Sequence, residues 1–293
     1  MPAIGALRNA FPEAHIEILG YKHIIALAEQ RFYANAVRSI EYSALAAFFA
    51  KGTELSPELA DYFHSFDLIV SYLFDPDRQF ERNVRRCGVE EFVRGPAKLD
   101  GSEHAALQLA RPLSELDLQV SDTAARLYPS VEDREVARAF LRDGAKPIIA
   151  LHPGSGGERK NWPIERWVSL AAQLAGRGSL LVIGGEADQV RLAVLRSRLK
   201  QATFAENLRL PHLAAVLESA AVFLGHDSGI SHIAAAVGTP CVLLFGPTDP
   251  NVWAPTNQDV RVVRAPDGDL TKLDLSLVAE VVDQELMRIG IST

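Results

Sequence analysis

From Pro147 onward the chain alternates short apolar runs with longer segments at helical spacing, and that alternation restricts the fold more than any other feature. PIIALH (147–152) is followed by IERWVSLAAQLA, SLLVIGG (179–185) by EADQVRLAVLRSRL, the short ATFA by HLAAVLESA, and AVFLG by GISHIAAAVG, after which PCVLLFG (240–246) closes the series. Apolar runs bounded by turn residues and joined through helices make parallel strands with crossover helices. The expectation is a doubly wound α/β domain over 145–265. Beyond it, within 266–293, LDLSLVAEVVDQELMRI carries apolar residues at helical spacing and is expected to pack back on the body as a helix.

The first half, 1–144, reads as a second Rossmann-like domain. Strands are expected near HIEIL (15–19), AVRSI (36–40), DLIVSYL (67–73) and EEFVR (90–94). Helices are expected near 3–10, 22–30, 42–50, 56–65, 77–87, 101–111 and 131–142, and PLSELDLQVSDTAARLYPS reads as loop with a turn or two of helix. A length of 293 residues fits two such domains.

Composition narrows the function classes. With 48% hydrophobic and 23% charged residues the chain is an ordinary globular one. No apolar stretch approaches the ~18–20 residues a membrane helix needs, and the start, MPAIGALRNAFPEAH, lacks the pattern of a signal peptide. Cys87 and Cys241 stand far apart without ligand spacing, so neither a disulfide framework nor a zinc site is expected, and a cytoplasmic location is. A net charge of −7 argues against a nucleic-acid partner, which needs a basic face to displace counterions. One lysine at a helix start can still hold a phosphate locally.

In open α/β sheets ligands sit beyond the carboxyl ends of the strands, and three loops there are unusual. HPGSGGERKNWP (152–163) offers Gly154, Gly156 and Gly157 for close approach of backbone N–H groups to an oxyanion, and Lys160 to neutralise it; the alternative is a plain turn. It lacks the Gly-Lys-Ser/Thr ending of a P-loop. In GGEADQ (184–189), Glu186 either caps the next helix or accepts hydrogen bonds from ribose hydroxyls. In GHDSGISH (225–232), Asp227 or Ser228 can cap a helix, Gly229 leaves space above its first turn, and His232 shares a face with Ser228 four residues earlier. A core role is the alternative for His232. FGPTDP (245–250) borders the same cleft or merely connects elements. His23, His64, His104 and His212 receive no role, and Arg191, Arg196, Arg198 and Lys200 read as a solvated helix face.

Together HPGSGGERKNWPIERW, LLVIGGEAD and above all GHDSGISHIAAAVGTPCVLLFGPTDP resemble glycosyltransferase family 9, the ADP-heptose:lipopolysaccharide heptosyltransferase family. The resemblance spans residues 1–265 and is strongest over 147–255. It implies the GT-B fold, two Rossmann-like domains facing across a cleft, with the donor held mainly by the C-terminal one. It also implies an inverting transfer of a heptose or related sugar from a nucleotide sugar, ADP-heptose, to a lipopolysaccharide core or similar glycan, without a metal or other cofactor. By residue-level match Ser155, Gly156 and Lys160 face the donor phosphates, Glu186 the ribose, and Asp227, Ser228, Gly229 and His232 the phosphates and sugar. Lys160 would stabilise the charge developing on the departing diphosphate. A lipid-anchored acceptor implies peripheral contact with the inner face of the cytoplasmic membrane.

The family begins with an apolar strand and a Gly-Asp loop whose aspartate serves as general base, and this chain begins at Met1-Pro2. The first strand of the N-terminal domain and the base are therefore not found, and Ile4, Leu7 and Phe11 are expected to lack the strand they would cover. The expectation is a misassigned or trimmed start. The competing readings are a catalytically degenerate nucleotide-sugar-binding protein and another GT-B enzyme such as a UDP-sugar epimerase.

Overall fold

The computed structural model describes residues 1–141 and 147–291. The chain divides into two compact units, Met1–Thr123 and Ala124 onward; the boundary expected between 144 and 145 lies outside the described residues.

Unit 1 runs α1 (Pro2–Ala10), β1 (Glu17–Gly20), α2 (Lys22–Ile25), β2 (Ala36–Ser39), α3 (Pro57–His64), β3 (Leu68–Ser71), α4 (Gln79–Arg86), β4 (Glu91–Arg94) and α5 (Ala105–Ala110). Its strands form two separate parallel ladders, β1 with β2 and β3 with β4. The expected single wound sheet is thus replaced by two pairs; among the described residues no strand bridges them. One aromatic core serves both pairs: Phe48, Phe63, Phe80 and Phe92 pack with Leu59 and Val84, and Leu19 and Ile40 meet it from one ladder, Ile69 from the other. Asn83, buried within α4, donates to Phe48 O (2.9 Å) and Ala50 O (3.1 Å), which pins the 3₁₀ segment Ser43–Phe49 where a helix over 42–50 was expected. On α1, Ile4 packs beside Ala28, Tyr33 and Ala34, and Leu7 beside Ala110 and Leu113, whereas Phe11 is exposed.

Unit 2 runs α6 (Val131–Leu141), β5 (Ile148–Leu151), α7 (Ile164–Leu174), β6 (Ser179–Gly184), α8 (Gln189–Arg198), β7 (Thr203–Glu206), α9 (Leu210–Glu218), β8 (Val222–His226), α10 (Gly229–Ala236), β9 (Cys241–Phe245), α11 (Pro250–Trp253), β10 (Val260–Arg264) and α12 (Leu275–Arg288). Its strands form one six-stranded sheet in the order β10-β9-β8-β5-β6-β7, parallel throughout. Strands β8 and β9 are buried along their whole length, as sequence runs without polar alternation require when helices cover both faces. One face carries Ile149, Leu151, Val182, Leu224 and Val242 against Trp167 and Leu170 of α7 and Val278, Val282 and Leu286 of α12, so the last helix does pack on the sheet. The chain winds outward from β5 to β7, then crosses back to lay β8 on the other side of β5. That reversal opens a crevice beyond the carboxyl ends of β5 and β8, the place where such sheets hold ligands.

Candidate functional site

Two histidines stand at the mouth of that crevice. His152 follows β5 and His226 ends β8, and the ladder joining the two strands runs on into His152 N–H donating to Leu224 O at 2.8 Å. His226 is fully buried. Its Nε2 accepts from Trp162 N–H (2.9 Å), so Nδ1 bears the proton and faces Gly154 O at 3.3 Å. Burial first of all pushes its pKa down to about 3 and keeps the imidazole neutral. It therefore works as a fixed strut between β8 and the glycine loop. Trp162, also fully buried, stacks edge-on with Trp167 and donates from Nε1 to Leu273 O (2.9 Å), anchoring the far end of the loop.

Between those anchors the loop is open. A Cβ built on Gly156 or Gly157 meets nothing within 4 Å, whereas one on Gly154 would sit 1.8 Å from Asp188 Oδ1, so only Gly154 is required by packing. The Ser155 hydroxyl turns back onto Gly157 O (3.0 Å), and the 3₁₀ turn Glu158–Lys160 follows. From that turn Lys160 Nζ reaches Asp227 Oδ2 at 2.7 Å, a contact between loops of different strands. Asp227 is largely buried and Lys160 one-third exposed, which leaves the ammonium reachable from solvent.

Ser228 starts α10 from an extended backbone (φ −153, ψ 161), and its Oγ accepts from Ser231 N–H at 3.4 Å. Ser228 rather than Asp227 is thus the cap. Gly229 is exposed, with open space where a side chain would stand, and the N–H groups of this first turn have no intrahelical acceptor. His232 lies half-buried one turn on.

The carboxylate that caps the turn after β6 is Asp188, which accepts from Gly185 N–H at 2.8 Å; Glu186 is left exposed beside it. Burial works against the Asp188 charge, but the His152 imidazole 3.7 Å away and the hydrogen bond from Gly185 N–H outweigh it and hold the carboxyl below its ordinary range. In FGPTDP, Asp249 accepts from Asn251 N–H and caps α11, and Thr248 Oγ1 is buried without a partner among the described residues. Arg191 departs from the solvated face expected of it: its side chain is mostly covered and pairs with Glu158 of the glycine loop. The scattered His64 and His104 are spoken for by Cys87 O and by the N-terminus of α5.

Sequence reasoning thus named Lys160, Asp227 and Ser228, which the fold gathers at one crevice, and Ser155, Gly156, Gly229, Glu186 and His232 on the loops and helix beside it. It passed over His152, Asp188, His226 and Trp162. The signal for the histidines was present, since each ends an apolar strand where a polar ring has no packing reason to be.

Residues 103–277 match the model of glycosyltransferase family 9 (heptosyltransferase). The chain belongs to this family. Among curated proteins it is similar to lipopolysaccharide heptosyltransferase 2 of Salmonella typhimurium, 32% identical over 202 residues that make up 66% of this chain and 55% of that protein. Lipopolysaccharide heptosyltransferase 2 of Escherichia coli is 30% identical over 174 residues, 56% of this chain and 47% of that protein. The family 9 chain thus spans about half the length of these curated relatives. Solved structures share its fold: a family 9 glycosyl transferase from Veillonella parvula (TM-score 0.79, 18% identity, 98% of this chain and 92% of that one) and E. coli ADP-heptose lps heptosyltransferase II (TM-score 0.75, 19% identity, 98% and 94%). The fold class is GT-B, with the six-stranded parallel sheet as its C-terminal Rossmann-like half.

Proposed function

We propose that this chain is an inverting glycosyltransferase that moves a heptose or related sugar from a nucleotide donor, ADP-heptose, to a lipopolysaccharide core or similar glycan. The observation that carries the reading is the Lys160–Asp227 pair set against the open N-terminus of α10 at the switch point of the sheet. A diphosphate entering there finds an ammonium reachable from solvent and the N–H groups of a helix start, which have no acceptor within the helix. Asp227 then serves to aim Lys160, because a nearly buried carboxylate beside a phosphate is tolerable only while the cation stays between them.

In the reaction an acceptor hydroxyl oxygen attacks the anomeric carbon from the side opposite the leaving group, the bond from that carbon to the diphosphate oxygen breaks, and the acceptor's proton is released. Charge grows on the departing diphosphate, where Lys160, the backbone of Ser155 and Gly156, and the first turn of α10 at Ser228 and Gly229 meet it without reorganising. Exposed Glu186 accepts from the ribose hydroxyls, and His232 faces the sugar. On the acceptor side, unit 1 holds a cavity of about 420 Å³ lined by Arg94, Lys98, Asp100, Gln108, Arg111 and Glu115 at the end of β4, a polar lining suited to a charged glycan. Among the described residues no helix is long and apolar enough to cross a membrane, and contact with a lipid-borne acceptor is peripheral.

Calorimetric titration with ADP, UDP and GDP tests the donor site. The expected result is selective ADP binding that weakens roughly ten- to a hundredfold in Lys160→Ala, the loss of one charge-assisted contact worth about 1.5–3 kcal/mol. Release of ADP from ADP-heptose on adding acceptor completes the test. Equal affinity for all three nucleotides, or none, overturns the reading.

A further inference from the structure

Beside the Lys160 pair lies a second, buried array that the reaction as described leaves unused. His152 is 4% exposed and Asp188 8%. His152 Nε2 lies 3.7 Å from Asp188 Oδ2, and its Nδ1 lies 3.4 Å from Ser228 Oγ. Asp188 also accepts from Gly185 N–H and abuts Gly154, so one carboxylate touches the loops after β5 and β6 and, through the imidazole, the loop after β8.

The order of protons follows from the chemistry. An ionised carboxylate only accepts, so the His152 nitrogen facing it carries the hydrogen, and Nδ1 is the nitrogen that faces Ser228 Oγ. The Ser228 hydroxyl stands between His152 Nδ1 at 3.4 Å and Ser231 Oγ at 3.2 Å, and its oxygen accepts from Ser231 N–H. The array has the members of a nucleophilic triad, but Ser228 sits in relaxed extended backbone with its oxygen committed to capping α10, which is the posture of a cap rather than of a nucleophile.

We propose that His152, held by Asp188, is a positioning residue that fixes the Ser228 hydroxyl and with it the phosphate seat at the start of α10. The inference rests on the reading of that seat as a nucleoside diphosphate site. Its strength is geometric: the imidazole joins β5 to β8 across the crevice where the chain reverses.

The test is ADP affinity measured by calorimetry on the full chain, with melting temperature as the check on folding. His152→Leu is expected to weaken ADP binding roughly tenfold, and His152→Asn, smaller but able to place its amide oxygen where Nδ1 stood, to recover most of it. In a Ser228→Ala background the Leu and Asn variants should bind alike, because their effect passes through the hydroxyl that is gone. Nitrogen-15 spectra of the wild-type imidazoles supply a reading independent of any variant: His152 should show the Nε2–H tautomer. Unchanged affinity in His152→Leu, losses that multiply with that of Ser228→Ala, or an Nδ1–H tautomer overturn the proposal alone, provided Lys160→Ala still weakens ADP binding. A wild-type chain that binds no ADP overturns it together with the donor-site reading.

Discussion

His226 shows how a single buried residue makes this fold sensitive to acid. Its folded pKa, about 3, lies below the roughly 6.5 of an exposed imidazole, and burial is the main cause. Above pH 6.5 neither state takes the proton and the contribution to stability is complete. As pH falls from 6.5 toward 3 the unfolded chain binds a proton that the folded one refuses, and stability drops by about 1.4 kcal/mol per unit. Urea unfolding should therefore lose roughly 2 kcal/mol between pH 7 and pH 5, a window above that in which most carboxylates titrate. His226→Gln, whose oxygen can accept the Trp162 N–H, should flatten that slope; identical slopes in the two proteins would refute the assignment. The loop carrying Asp227, Ser228 and Gly229 stood out in the sequence because charge and glycine at a strand end have few packing uses. The role of His152 did not, since its contact with Ser228 spans 76 residues of chain and exists only because β8 returns to lie beside β5.

At the level of elements, what could be read was set by burial. Strand β9 is covered on both faces and its sequence, CVLLF, is apolar throughout. Strand β10 went unread: it lies at the edge of the sheet, breaks its valines with Arg261 and Arg264 and so shows no apolar run, and buries only Val263. The helix expected over 22–30 stops at Ile25, and the segment after it turns through Gln30 at φ 50, a left-handed conformation that apolar periodicity does not report. The apolar spacing of α12 is visible in its sequence because it continues through Val278, Val282 and Leu286, each 0% exposed. That burial makes a prediction. Leu286→Ala should cost about 2–5 kcal/mol, the transfer of the lost atoms plus the cavity they leave, seen as a lower urea midpoint at unchanged slope. A loss below about 1 kcal/mol would mean that α12 is dispensable to the core.

Across the whole molecule the two units bury their strands to different degrees. Strands β1, β2 and β3 are only half-buried and sit in two-stranded ladders, while β5, β8 and β9 lie inside a six-stranded sheet covered by helices. Local opening is easiest where few apolar contacts resist it, so amide hydrogen exchange should be slowest in β8 and β9 and clearly faster in β1–β4. The donor site proposed above draws all its parts from unit 2, which adds a directional expectation. A ligand that binds only the folded state stabilises it by about 2.7 kcal/mol at a hundred times its dissociation constant. Adding ADP at that level should slow exchange in the peptides carrying His152–Trp162, Gly184–Asp188 and His226–Ala236. Peptides of β1–β4 should exchange at their former rate, because none of the residues assigned to the nucleotide belongs to unit 1. Protection confined to unit 1 would move the nucleotide site there, and uniform protection of both units would show that ADP stabilises them as one cooperative body.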